Sequence, residues 1–186
     1  MLDILELERI LVDTIVAHVP SFTEQNIALM PYNAAELEAP FMGIQTLDLP
    51  RVMREIEGPV DEITGDRDVT QHYHWRVRFR AIGANDSSTK MLTTSALALM
   101  QELAIRLNSH SMYYDLHLEK ISIIKMGQVK RVPILKDNEW EDQAYLDVVF
   151  GIADKITDNV SYIETVDGPQ GSYKRHPDDP NPITTP

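Results

Sequence analysis

Residues 73–83, YHWRVRFRAIG, alternate without a slip: Tyr73, Trp75, Val77, Phe79 and Ala81 fall on one side, and Arg76, Arg78 and Arg80 on the other. A period of two is the side-chain period of a β-strand, so the first set must cover a core. The second set poses a question, because the chain holds 29 Asp and Glu against 17 Lys and Arg, a formal net charge of -12. An acidic balance disfavours tight binding to nucleic acid, whose affinity comes from cations that displace counterions. A row of three arginines in such a chain therefore needs another explanation, unless it forms a local basic patch.

At 186 residues, 43% hydrophobic and 25% charged, the chain suits one soluble domain with a real core. No apolar run reaches the roughly 20 residues needed to span a bilayer, and the start lacks the basic-then-apolar pattern of a signal peptide, so a cytosolic site of synthesis is expected. Zero cysteines exclude disulfides, thiol nucleophiles and cysteine-ligated metals.

Ile4, Leu7, Leu11 and Ile15, flanked by Leu5, Val12 and Val16, predict a helix over 3–19 with one wide apolar stripe. Asp3, Glu6 and Glu8 occupy its first turns, where the helix dipole favours them, and Pro20 ends it. A second helix is predicted after the capping residues of NDSST, with Leu92, Ala96, Leu99, Leu103 and Leu107 as its stripe, ending near Asn108. Residues 20–40, with prolines at 20, 31 and 40, read as a long excursion with a short helical turn around Thr23–Met30, and as a pointer to an interaction surface.

Residues 41–49 and 51–58 read as one bent strand or two, with Pro50 at an edge or bulge. GDRDVTQ, 65–71, reads as a polar turn region. LHLEKISIIKM predicts a strand with a bulge between Leu118 and Ile121. After the charged loop KDNEWED, AYLDVVFGIA predicts a further strand and NVSYIETV a last short one. The order predicts an α+β domain over residues 1–166, with an antiparallel sheet of about four to five strands packed against two main helices. Residues 167–186 hold five of the eleven prolines and predict an extended arm, ordered where another copy or a partner holds it.

Chemistry is sparse. His72 and His74 share one strand face and could begin a metal site, but no further ligand has a spacing that fixes it there. No G-x-S-x-G elbow, phosphate loop or G-x-G-x-x-G is present. Asp137, Glu139, Glu141 and Asp142 could supply an acid and a base, although charged runs between strands are more often solvated loops. No catalytic residue and no cofactor are assigned. For the arginines, pairing across the sheet with acids such as Asp48, Glu55 or Asp147, together with a protein interface, is favoured over a nucleic-acid stripe, because the aromatics that would stack bases lie on the other face.

Three stretches carry a resemblance: APFMGIQTLD as a proline-aromatic strand opening, HWRVRFRAIGAND as the strand that breaks into the second helix, and NEWEDQAYLDVVFGIADKITDNVSYIETV as a tryptophan-acid loop with its closing strand. In these the chain resembles the phage neck terminator, or tail terminator, family of contractile-tailed bacteriophages, over roughly residues 2–166. The resemblance implies a non-enzymatic virion protein, assembled in the host cytoplasm. It implies a homo-oligomer, a hexameric ring, at the head-proximal end of the tail tube, where it stops tube polymerisation and joins tail to neck. The implied partners are the tail tube protein and a neck or connector protein, with the tail sheath as a further candidate. Duplex DNA would pass through without sequence-specific binding, and no membrane is involved.

Candidate subunit or partner contacts are Arg76, Arg78 and Arg80, Trp140 and Glu141, and Tyr173, Lys174 and Arg175 of the arm. Gln143 departs from the basic residue expected before the alanine of the closing strand. A neck adaptor or tail-completion protein is the neighbouring reading. A small metal-dependent hydrolase using His72 and His74 is the distant one.

Overall fold

The computed structural model describes residues 3–30, 37–52, 55–61, 64, 66–85, 91–136, 138–159, 165–168 and 171–174. Helix α1, Ile4–His18, starts at Asp3, whose carboxylate accepts the Leu5 amide at 2.9 Å, and stops at Val19 before Pro20. Its Leu7, Leu11 and Ile15 are buried, as their spacing requires. Glu8 is buried too, turned toward the sheet rather than standing in solvent among the first-turn acids. A 3-10 turn, Glu24–Asn26, then leads into strand β1, Ile27–Met30, which pairs parallel with β2, Phe41–Asp48. The short helical turn expected in the excursion is this 3-10 turn, after which the chain supplies an edge strand; four residues before Pro31 leave no room for the helix to continue.

Strand β3, Ile56–Val60, and the bridge of Arg51 to Tyr73 continue β2 along one long partner, β4, Asp66–Ile82. The expected polar turn over 65–71 is thus mostly strand. Strands β5, Ala84–Asn85, and β6, Leu92–Thr94, form a small pair before α2, Ala96–Leu107. A third helix, α3, His110–Leu118, follows and turns at Lys120 (φ 60°) into β7, Ile121–Met126. The slip expected between Leu118 and Ile121 is this helix-to-strand junction; the register shift on the neighbouring strand lies between Val149 and Phe150, where Ile124 is the extra residue.

Strand β8, Lys130–Arg131, and the hairpin of β9, Ile134–Lys136, and β10, Glu139–Glu141, precede the second long strand, β11, Gln143–Asn159. Strands β12, Thr165–Gly168, and β13, Gly171–Lys174, pair with each other.

The fold is α+β, as expected, with more strands than expected: a seven-stranded sheet in the order β1-β2-β4-β11-β7, with β3 also on β4 and β8 on β11. Its pairings are antiparallel apart from β1 with β2. The additional edge strands are too short to show an alternation in sequence. All three helices lie on one face, where Trp75, Val77, Phe79 and Ala81 meet Leu146, Val148 and Phe150 and the buried stripes of the helices. The opposite face of the sheet has no helix over it among the described residues.

β4 and β11 stay in register from Ile82 with Gln143 to Asp66 with Asn159, about 55 Å of strand at ~3.3 Å per residue. The helices cover only the half near Phe79. Past Ile152 the pair runs on as a ribbon edged by β3, where Ile156 and Ile56 are exposed.

Candidate assembly surfaces

The three arginines stand on the uncovered face because their neighbours in β4 fill the core. Each meets a polar group on an adjacent strand. Arg76 reaches Asp48 at 3.3 Å. Arg78 makes a forked contact with Asp147, Nε to Oδ1 at 2.7 Å and a terminal nitrogen to Oδ2 at 3.0 Å, and its guanidinium lies 4.9 Å over the Tyr145 ring. The Asp147 hydrogen bond, the largest influence, holds the Arg78 guanidinium above its ordinary value. Arg80 donates from Nε to Oε1 of Gln143 at 2.8 Å, and Gln143 donates in turn to Glu141. Of the expected acids, Asp48 and Asp147 are opposite the row, while Glu55 pairs with Arg51 instead. Gln143 is suited to its place: a basic residue there would oppose Arg80 and remove its acceptor.

These pairs are largely solvated, Arg78 being 40% and Asp147 44% exposed, so each contributes at most ~1 kcal/mol. The ladder aligns the strands more than it holds the fold.

Trp140 and Glu141 sit in the β9–β10 hairpin, which turns at Asn138 (φ 64°). Trp140 is 65% exposed and faces its partner across the hairpin, Leu135, 55% exposed. Glu141 is engaged by Gln143. A cleft of about 420 Å³ lies beside the hairpin, lined by Met30, Leu37, Phe41, Ile134 and Leu135 with Arg80 at its wall. Tyr173 and Lys174 lie on β13, and Arg175 lies outside the described residues.

Asp142, expected in a solvated acidic loop, is 6% exposed. One carboxylate oxygen accepts the Ala96 amide at 2.8 Å, capping α2 from a distant strand, and the other accepts Arg131 Nε at 2.7 Å. The NDSST caps were expected at residues 86–90, which lie outside the described residues; the cap position itself is Ser95, which makes no side-chain cap bond. Of the rest of the acid run, Glu139 and Glu141 line a depression with Trp140 and Lys136, and Asp137 lies outside the described residues.

His72 and His74 face the same way as Arg76. Among the described residues no group of three or more histidines and carboxylates could hold a metal.

The ribbon beyond the helices is held by ion pairs: Lys155 to Asp68 at 2.7 Å, and Arg67 to Glu57 at 2.6 Å and to Asp158 at 3.5 Å. The Lys155 hydrogen bond, chiefly, lowers the Asp68 carboxyl below its ordinary 3.8. A depressed folded value favours the fold above the unfolded pKa, and that contribution is lost as the pH falls below 3.8. In an NMR titration Asp68 should therefore titrate below 3.8 and move back toward it in Lys155→Met; a midpoint at or above 3.8 in the unaltered chain would contradict the pairing.

Sequence reasoning missed Lys125 and Lys130, which join the arginine face. Lys130 lies 5.8 Å from the Tyr145 ring, and Lys125 lines a depression with His74, Arg76 and Val149. The only signal for Lys125 is its place in ISIIKM, and the extra residue Ile124 shifts the alternation there.

An open, ion-paired sheet face and an exposed hairpin tryptophan define a surface suited to contact. A profile of the phage neck terminator protein family matches residues 6–176. The chain belongs to that family, and its role is a structural one in the phage neck and tail. The match extends beyond residue 166 into the stretch expected to form an arm. No match was found among curated proteins. No helix among the described residues is long and apolar enough to cross a membrane.

Proposed function

We propose that this neck terminator forms a ring at the head-proximal end of the tail tube of a contractile-tailed phage, stops tube polymerisation there and joins tail to neck. The family match over residues 6–176 carries the reading. The ring is a homo-oligomer, a hexamer, built in the host cytoplasm and retained in the virion. The tube protein meets one rim, a neck or connector protein the other, and the sheath is a further candidate at the outer edge. Arg76, Arg78 and Arg80, Trp140 and Glu141, and Tyr173, Lys174 and Arg175 are its proposed contacts, and the arm from residue 167 reaches a neighbour.

Net charge supports the channel role: an acidic chain, -12 overall, repeated around a passage lets duplex DNA slide without counterion-release binding. Light scattering of the purified protein, with end-on electron microscopy of tails, tests the reading. A closed ring at the tail end is expected; a strict monomer absent from purified particles would overturn it.

A further inference from the structure

The two faces of the domain carry opposite charge. On the open sheet face over the helix layer, Arg76, Arg78, Arg80, Lys125 and Lys130 outnumber Asp48, Asp147 and Glu141, the last joined to Arg80 through Gln143. On the helix side, Glu6, Asp13, Glu102, Asp115 and Glu119 outnumber Arg9, Arg106 and Lys120. Both faces also expose apolar side chains. Ile124 is 54% exposed beside Lys125, and on the helices Ile105 is 70%, Tyr114 52% and Leu118 60% exposed.

We infer that the open sheet face of one copy seats the helix layer of the next copy. The inference rests on the ring reading above and deepens it by naming the two surfaces. A two-fold pairing would set like against like, cation face on cation face or acid face on acid face. A head-to-tail contact sets opposite charges together and repeats around a ring. Ile124, Tyr145 and Val149 on one side and Ile105, Tyr114 and Leu118 on the other supply the apolar centre such a contact needs. Seating the sheet face against a neighbour also removes its cations from the channel, so the assembled ring presents an acidic surface to DNA.

The test uses charge reversal in the full chain at positions whose side chains make no hydrogen bond or ion pair among the described residues. Lys125→Glu with Lys130→Glu alters the sheet face; Lys130 gives up only its place over Tyr145. Asp13→Lys with Glu119→Lys alters the helix layer. Circular dichroism checks that each variant folds, and sedimentation velocity reads assembly.

Each two-site variant should assemble at a concentration roughly tenfold or more above that of the unaltered chain. An equimolar mixture of the two, which alternates complementary faces around an even ring, should restore assembly, as should the four-site variant. Assembly by either two-site variant at the unaltered concentration, failure of both mixture and four-site variant to recover, or a two-fold dimer as end state overturns the inference. If the unaltered chain forms rings while both reversals are without effect, the inference alone fails. An unaltered chain that stays monomeric even on tubes overturns the ring reading with it.

Discussion

Trp75→Ala should lower the unfolding free energy by about 4–5 kcal/mol, the largest effect expected of one substitution in this chain. Trp75 is fully buried at the centre of β4, its ring 5.5 Å from that of Phe150, which meets Phe79 edge-on at 6.5 Å. Truncation opens a cavity between the sheet and the helix layer, and aromatic-to-alanine changes in such places cost about 3–5 kcal/mol. A polar chain adds to this. The indole N–H donates to Thr46 Oγ1 at 3.1 Å, and the Thr46 hydroxyl donates to Oε1 of the buried Glu8 at 2.6 Å. Loss of one buried hydrogen bond adds about 1 kcal/mol.

In a domain of this length each kcal/mol moves the melting temperature by about 2–4 °C, so a fall of roughly 8–20 °C should be seen. Trp75→Phe, which keeps most of the volume but not the donor, should lose about 1–2 kcal/mol. Thermal and urea unfolding decide: an alanine variant within 1 kcal/mol of the unaltered chain would mean that the core is not centred on this residue.

Asp142→Ala should cost about 2–4 kcal/mol through a different physical route, the loss of a cap together with the partner of a charge. The Asp142 carboxylate lies at the end of β10 yet closes the first turn of α2, and it holds Arg131 of β8 as well. Its backbone oxygen accepts the Gly83 amide at 2.9 Å. The junction is tight: a Cβ built on Gly83 would come within 2.5 Å of the Thr94 oxygen and 3.0 Å of Asp142 Oδ2. No side chain at 83 could substitute for the missing carboxylate without displacing backbone. Asp142→Asn keeps an acceptor for the Ala96 amide and weakens only the contact to the half-exposed Arg131, so it should cost about 1 kcal/mol. Urea denaturation separates the two variants; equal losses would show that the charge, not the cap, is what the residue supplies.

Asp142 also marks where sequence reasoning stops. The stretch KDNEWED has the composition of a solvated loop, and nothing in it separates one buried carboxylate from its exposed neighbours, because the amide it satisfies lies 46 residues earlier. The alternation of 73–83 and the stripes of the first two helices were legible, apart from Leu92, which lies exposed on β6, since one apolar face against one core leaves a local period. Residues 66–71 were not: past Ile152 the ribbon buries Val69 but leaves Ile156 and Ile56 exposed, and Asp68, Arg67 and Lys155 carry ion pairs where an apolar alternation would stand. Helix α3 hides for a related reason. Only Met112 and Leu116 of its nine residues are buried, too few to show a stripe.

The arginine row was legible as strand and as cross-sheet partner, since opposite charges on facing strands are a local rule. The charge contrast between the sheet and helix faces appears only once register places Lys125 and Lys130 beside that row.

The proposal is that this neck terminator ends the tail tube. It is tested most directly by polymerising the tube protein with and without the purified chain and imaging the products. Tubes whose elongation stops when the chain is added, with a ring of density at one end only, are expected. Tubes of unchanged length distribution, with no added density at either end, would contradict it.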